Sequence, residues 1–265
     1  MFDYHVHSHF SADCHEQMED MVIAAIDKGI SQLCFTEHID YEYPDDSIVF
    51  DIDLPAYTAS IEQMRKQFGS KITILQGVEI GVQPHILDRY ESLLQQTAFD
   101  FVICSMHTTD KKSLHYKEIF HDRSVEDAHR LYYEEYLTCI QQFKQFNVLG
   151  HVDLIKRYSD EPVTNLFHDE LRAIFNELIP NGKGIELNTS GERYGLSHAL
   201  PSPDVLALYR SCGGEIITLG SDAHRVSELA FHFPKSLKLL DELGFRYITT
   251  FEAQQPTFHS IDQFL

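Results

Sequence analysis

The chain has 265 residues, 43% of them hydrophobic, and a formal net charge of −20 at pH 7. The composition is that of a globular protein, and the length accommodates one α/β barrel of about 250 residues. The negative charge disfavours nucleic acid partners, which require lysine and arginine contacts with phosphates. No apolar run approaches the roughly 18 residues of a membrane span, and the first residues do not form a secretory signal. We therefore expect a cytoplasmic protein without a membrane partner, and we leave its oligomeric state open.

Strand-like and helical segments alternate along the chain. Predicted strands begin near residues 2, 32, 72, 99, 146, 184 and 215, with a further candidate near 246. Apolar residues recur at helical spacing in the predicted helices Met18–Lys28, 55–68, 84–96, 124–145, 168–179, 203–212 and 227–243. Strands that alternate with helices form right-handed β-α-β units and a parallel sheet. We therefore predict a single domain spanning 1–265, built as an irregular α/β barrel of seven strands.

The connections differ in length at the two ends of the predicted strands. Helix-to-strand connections, such as Gly29–Ser31, are short. Strand-to-helix connections are long and cover 39–54, 108–123, 152–167 and 189–202. In α/β barrels, the chemistry takes place on the face that carries the strand-to-helix loops. The long loops therefore indicate the face of the barrel on which the functional site should lie.

Residues that commonly bind metals follow nearly every predicted strand. They are His5, His7, His38, Glu79, His107, His151, Asp222 and His224. Any one of them alone is more simply a structural residue, but chance rarely places all of them at strand ends. Because parallel strands end on one face, we expect these side chains to meet there, and they are too many for one ion. Imidazole with carboxylate suits Zn, Fe or Mn better than Mg or Ca.

The residues around these ligands form short motifs in a fixed order. The motifs are His5-Val6-His7 with Ser11, Thr36-Glu37-His38, Gly77-Val78-Glu79, Ser105-Met106-His107, Gly150-His151-Val152-Asp153 and Ser221-Asp222-Ala223-His224. With this ordered set, the chain resembles the PHP (polymerase and histidinol phosphatase) family of metal-dependent phosphoesterases over almost its whole length. The resemblance implies a distorted (β/α)7 TIM-like barrel with three clustered divalent metal ions. It agrees with the barrel predicted from the alternating segments.

The resemblance also implies the ligands of each ion. By position they are His5, His7, Glu79 and Asp222 for the first ion, Glu79, His107 and His151 for the second, and His38, His224 and Asp13 for the third. Some members of the family have histidine where this chain has Asp13, and His15 follows two residues later. Since a carboxylate is a competent ligand, Asp13 is the predicted ligand and His15 is the alternative.

The chemistry that the resemblance implies is hydrolysis of a phosphate monoester. A carboxylate such as Glu79 would bridge two ions about 3.5–4 Å apart, and a water shared between them would lose its proton near neutral pH and attack phosphorus. Arginine binds phosphate oxygens with a planar fork, and Arg157 and Arg193 lie in long loops after two successive strands. We predict Arg157, Arg193 and Asp222 as catalytic residues, although loop arginines are often only solvated.

Within the family, the chain is similar to the histidinol phosphate phosphatases. This similarity implies hydrolysis of L-histidinol phosphate to L-histidinol and phosphate in histidine biosynthesis. The ammonium and imidazole groups of that substrate would need acidic or aromatic partners. The predicted substrate-binding residues are Arg157 and Arg193 for the phosphate, and Glu42 and Tyr158 for the other groups. Glu42 belongs to the acidic and aromatic segment 39–46.

Other functions remain open from the residues alone. The first alternative is another phosphoesterase of the family, acting on phosphotyrosine, a nucleotide or another small phosphate monoester. A nuclease or polymerase-associated module is disfavoured by the acidic charge, because nucleic acid binding needs basic stripes. An inactive metal-binding protein is disfavoured by the completeness of the ligand set.

Overall fold

The computed structural model describes residues 1–161, 163 and 165–265. The strands are β1 (Phe2–Val6), β2 (Gln32–Ile39), β3 (Thr73–Gly81), β4 (Phe101–Ser105), β5 (Thr108–Thr109), β6 (Lys112–Ser113), β7 (Val148–Leu149), β8 (Gly184–Asn188), β9 (Ile217–Gly220), β10 (Tyr247–Glu252) and β11 (Gln255–Ser260). The α-helices are α1 (Met18–Asp27), α2 (Leu54–Phe68), α3 (Leu87–Gln96), α4 (Val125–Gln142), α5 (Ile155–Tyr158), α6 (His168–Leu178), α7 (Ser190–Arg193), α8 (Pro203–Ser211) and α9 (Phe233–Glu242).

Seven of these strands form one parallel sheet in the order β1-β2-β3-β4-β7-β8-β9. A parallel bridge between Val6 and Ala223 joins the two ends of the sheet, so the sheet closes almost completely into a barrel. The predicted distorted barrel of seven strands is therefore confirmed. The segment near 246 forms β10, which pairs with β11 in a separate antiparallel hairpin.

The long predicted helices are present, and the last differs most in its bounds. The expected helix 227–243 begins as α9 at Phe233, after a 3-10 turn at Val226–Glu228. His232 has a left-handed backbone with a φ of 54°, which interrupts a right-handed helix. Pro234 then lies in the first turn, where its missing N–H costs nothing. Among the described residues, no helix is both long and apolar enough to cross a membrane.

The C-terminal hairpin covers the end of the barrel at which the strands begin. The Tyr4 hydroxyl donates to the carbonyl of Phe251 at 3.0 Å, and the Gln254 amide donates to the carbonyl of Asp100 at 2.8 Å. Phe251 completes an apolar cluster whose other buried members are Tyr4, Cys34, Leu75, Phe101, Ile103 and Val148. The chemistry is therefore left to the opposite end, where the strands finish.

Truncating Phe251 to alanine is expected to lower the free energy of unfolding by about 3–5 kcal/mol, because it leaves a cavity in this cluster. Phe258→Ala on the same hairpin is the matched control, since its side chain is 46% exposed and should cost less than about 1 kcal/mol. Urea unfolding measures both values, and bound metal should not change in either variant. Equal free energies for the two variants would contradict this role of the hairpin.

Candidate metal centre and substrate cavity

An irregularity in β1 positions the first two predicted ligands. Consecutive residues of a regular strand point to opposite faces, yet Tyr4 packs in the inner cluster and His5 also contacts inward-facing acids. The pairing of β1 with β2 shifts register between Asp3 and Val6. A bulge of this kind re-aims side chains, so both residues face the barrel interior. His7 follows directly after the strand.

The carboxyl-terminal rim of the barrel brings all the predicted ligands together. His38 and Glu79 lie within β2 and β3, whereas His107, His151 and Asp222 each lie two residues beyond the end of a strand. Among the described residues, three groups of side chains have ligand atoms within 4.8 Å of one another: His5, His7 and Asp222; His7, His38 and His224; and His38, Glu79 and His107. His7 and His38 thus belong to two groups each, which the position-by-position assignment does not anticipate.

Glu79 lies at the centre of the cluster, fully buried. Its Oε2 atom is 3.0 Å from His5 Nε2 and its Oε1 atom is 3.0 Å from His151 Nε2. The same Oε1 is 3.3 Å from His107 Nε2 and accepts a hydrogen bond from Ser105 Oγ at 2.6 Å. The two carboxylate oxygens therefore face different histidines, which is the arrangement a bridging ligand would need.

Asp13 lies at the outer side of the same cluster. Its Oδ2 atom is 3.4 Å from His224 Nε2 and 3.8 Å from His38 Nε2. His15 is exposed and lines a neighbouring cavity instead. The geometry therefore favours Asp13 over His15 as a ligand.

The hydrogen bonds of His7 test whether the site fits a cation. Ser11 Oγ donates to Glu37 at 2.6 Å, so its only hydrogen is used and it must accept from His7 Nδ1 at 3.0 Å. His7 Nε2 is then an acceptor, buried and without a hydrogen-bond partner among the described residues. It lies 3.5 Å from Asp222 Oδ1 and 3.6 Å from Glu79 Oε2, which are also acceptors. Acceptors that converge without a donor fit a bound metal ion.

Electrostatics couple the acids and the imidazoles of the cluster. Burial and the adjacent rings of His224 and His38 lower the pKa of His7 to about 3. Burial opposes the charged form of His5, but the neighbouring carboxylates outweigh burial and raise the pKa of His5 above its usual range. Burial also raises the pKa of Glu79, but the rings of His5 and His38 outweigh it and hold that pKa well below its usual range. Since metals bind neutral imidazoles and ionised carboxylates, a bound ion would displace the protons of such rings.

Two buried carboxylates contact the outer nitrogens of predicted ligands. Asp40 accepts from His107 Nδ1 at 2.6 Å, and Glu186 accepts from His5 Nδ1 at 2.6 Å. Such contacts fix the tautomer and direct Nε2 toward a metal. Sequence reasoning placed Asp40 only in the acidic loop and missed Glu186. The available signal was a carboxylate inside strand β8, all of whose residues are buried.

A cavity of about 370 Å³ opens beside the cluster. The cluster forms one wall, and the others are mainly apolar and aromatic, formed by Tyr43, Ile48, Phe50, Leu114, His115, Tyr116, Leu154, Tyr158 and Tyr194. Segments 43–50 and 113–116 are joined by a hydrogen bond between Tyr43 and Ser113 at 2.7 Å and by one between Tyr116 and Asp45. The cavity is therefore sized for a small molecule that presents one polar end to the cluster.

The predicted substrate-binding residues divide between two places. Arg157 and Tyr158 line the cavity. Arg193 faces a neighbouring cavity and donates to the backbone carbonyls of Ser221 and Asp222, both at 2.7 Å. Glu42 is exposed and pairs with His85 at 3.1 Å and Arg89 at 3.2 Å. The structure thus brings Arg157 and Tyr158 to the cluster, but not the side chains of Glu42 or Arg193.

Arg157 is held rigidly at the edge of the cluster. Its guanidinium lies 4.2 Å above the ring of Tyr194 and donates through Nη2 to Ser190 Oγ. Nη2 is also 3.9 Å from Asp222 Oδ2. Its Nε is buried without a hydrogen-bond partner in the described part of the chain. Of the five N–H donors of a guanidinium, one is used by Ser190 among the described residues, and the side chain lines the cavity, so donors remain for an anion there.

Comparisons with known proteins agree with this geometry. The sequence pattern of the PHP domain family matches residues 3–190. A histidinol-phosphatase of Lactococcus lactis is 31% identical over 258 residues, covering 96% of this chain and 95% of the relative. A probable histidinol-phosphatase of Clostridium acetobutylicum is 27% identical, covering 93% and 95%.

A solved structure gives a match of similar extent. It is the histidinol phosphate phosphatase of Lactococcus lactis in complex with zinc, L-histidinol and phosphate. The TM-score is 0.84 at 30% sequence identity, and the match covers 97% of this chain and 98% of the other.

Proposed function

The chain belongs to the PHP domain family, and from that premise we propose that it is a histidinol-phosphatase, which hydrolyses L-histidinol phosphate to L-histidinol and phosphate. The observation that carries the proposal is the nearly full-length similarity to a protein whose structure holds zinc, L-histidinol and phosphate. The product would feed histidine biosynthesis, and the protein would act in the cytoplasm. We also propose that the phosphoesterase unit covers 1–265, because Asp222 and His224 follow the matched range.

Divalent metal ions are the proposed cofactors, three in number, with zinc, iron or manganese as candidates. The residues that would hold them are His5, His7, Asp13, His38, Glu79, His107, His151, Asp222 and His224. Bound there, the ions would supply a water of lowered pKa as nucleophile and positive charge for the phosphate oxygens. The charge is also needed because the chain is acidic overall and would otherwise repel a phosphate ester.

Arg157 is the proposed phosphate-binding residue of the chain. Its side chain is 10% exposed and fixed by Tyr194 and Ser190, so little conformational entropy is lost when it binds an anion. The N–H donors that Ser190 does not use support this role. Arg193 would act on the site through the backbone of Ser221 and Asp222.

The aromatic walls of the cavity are the proposed partners of the imidazole and ammonium groups of the substrate. A cation within about 6 Å of an aromatic face is attracted by the ring, and Tyr43, Tyr116 and Tyr158 offer such faces in the cavity. The same walls would exclude water from the ester. Glu42, which pairs with Arg89 outside the cavity, would contribute little.

Phosphate release from two substrates tests the proposal. We expect L-histidinol phosphate to be hydrolysed with a kcat/KM at least ~100-fold above that for p-nitrophenyl phosphate, because a desolvated contact between a cation and an aromatic ring contributes about 2 kcal/mol and a hydrogen bond about 1 kcal/mol more. Chelation should abolish the release, and added zinc, iron(II) or manganese(II) should restore it. A larger kcat/KM for the aryl ester would favour the alternative, a different phosphoesterase of the family.

A further inference from the structure

Glu186 is a buried carboxylate that touches two predicted ligands of different ions. Its side chain is 1% exposed, and Oε1 accepts from His5 Nδ1 at 2.6 Å. Oε2 accepts from the backbone amide of His151 at 3.0 Å and from Asn188 Nδ2 at 3.2 Å. Both carboxylate oxygens of Glu186 therefore accept hydrogen bonds, and each contacts a residue at the rim of the barrel.

The Glu186 carboxylate faces one basic side chain. Within the described residues, that side chain is His5, whose Nδ1 atom lies 2.6 Å from Oε1. A buried carboxylate is costly unless it is paired and hydrogen-bonded, so the contact with His5 compensates for that burial. The carboxylate requires a proton on His5 Nδ1. In the neutral imidazole that binds a metal, the lone pair is then on Nε2, the atom that faces Glu79 at 3.0 Å.

The contact of Glu186 Oε2 with the amide of His151 supports an unusual backbone conformation at His151. His151 has a φ of 20°, outside the usual right-handed and extended regions. Its amide would be buried at this turn, and Glu186 Oε2 satisfies it. Because the direction of the His151 side chain follows from this backbone, Glu186 also helps to aim its Nε2 at Glu79.

The neighbouring strand leaves room for this arrangement. A Cβ atom at Gly220 would lie 2.0 Å from Glu186 Oε1 and 2.5 Å from His5 Cβ. Any larger residue at 220 would therefore displace the pair of Glu186 and His5. Glycine at this position is a second observation, independent of the hydrogen bonds, that the pair is built closely.

We propose that Glu186 is a positioning residue for metal binding, which aims His5 through its ring and His151 through its backbone. It holds His5 in the tautomer that presents Nε2 and raises the basicity of that nitrogen. It touches two predicted ligands, one assigned to each of the ions that share Glu79. This role does not depend on which phosphate ester is the substrate.

Glu186→Gln tests the proposal directly. The amide retains the shape but has one acceptor instead of two and no charge, so it serves either His5 or His151. We expect the zinc affinity, measured by competition with a chelator, to fall about 10- to 100-fold. Saturating zinc should then restore turnover, because Glu186 is not proposed to touch the substrate.

Asp100→Asn is the matched control. Asp100 also accepts from backbone amides, those of Gln76 and Ala253, and pairs with Arg65, but it lies at the opposite end of the barrel. The Asp100→Asn variant should lose stability in the metal-stripped state, whereas its zinc affinity should stay at the parent value. Parent-like zinc affinity in Glu186→Gln, or an equal loss in Asp100→Asn, would overturn the proposal.

Gly220→Ala provides a second test, in which neither Glu186 nor His5 is itself substituted. The added methyl should separate Glu186 from His5 and lower zinc affinity in the same range as Glu186→Gln. This variant decides the question if Glu186→Gln does not fold. Zinc affinity equal to that of the parent in a folded Gly220→Ala protein would show that the pair does not position the ligands.

Discussion

Replacing Glu79 with glutamine is expected to reduce bound metal and to lower kcat at least roughly 1,000-fold. Glutamine has one acceptor oxygen and no charge, whereas the two oxygens of Glu79 face His5 on one side and His107 and His151 on the other. Bound metals supply several kcal/mol of charge stabilisation, and about 1.4 kcal/mol corresponds to tenfold in rate. Elemental analysis and phosphate release measure the two effects.

The matched control for this variant is Glu215→Gln. Glu215 is exposed and pairs with Arg210 at 3.5 Å, before the start of β9 and away from the rim. The same change of chemistry should leave both metal content and kcat at the parent values. If Glu79→Gln retained its metal and its kcat, Glu79 would not be a bridging ligand.

The two predicted arginines should respond differently to the same substitution. In Arg157→Lys the positive charge remains, but the planar fork that grips phosphate is lost. Because a hydrogen bond to a charged group contributes about 1.5–3 kcal/mol, kcat/KM should fall roughly 10- to 100-fold. Metal content should be unchanged. In Arg193→Lys the fork that donates to the carbonyls of Ser221 and Asp222 together is lost. That variant should lose metal affinity first, because the backbone that aims Asp222 is loosened.

Steady-state kinetics with saturating zinc, together with metal analysis, separate these outcomes. A fall in kcat/KM for Arg193→Lys at full metal occupancy would assign phosphate binding to Arg193, as the sequence predicts. Unchanged kinetics for Arg157→Lys would remove Arg157 from the phosphate site.

The sequence predicts the barrel and the position of the site for a simple geometric reason. Parallel strands end on one face, so ligands at the carboxyl ends of β3, β4, β7 and β9 must converge whatever the details of the loops. The alternating segments also predict the strand number. The roles of the individual ligands and of Arg157 and Tyr158 remain predictions.

The remaining features depend on packing that a linear pattern does not record. The bulge in β1 and the hairpin of β10 and β11 follow from register and from the closure of the barrel. Glu186 contacts a histidine 181 positions away in sequence. Glu42 resembles a substrate partner in sequence, but a left-handed backbone at 55° and a pairing with Arg89 place it outside the cavity.

Anomalous X-ray diffraction from crystals of protein purified without added metal tests the central claim most directly. Data collected across the zinc, iron and manganese absorption edges should show peaks between His5, His7 and Asp222 and beside Glu79. Crystals of protein that releases phosphate but gives no anomalous peak within this cluster would contradict a metal centre at the rim of the barrel.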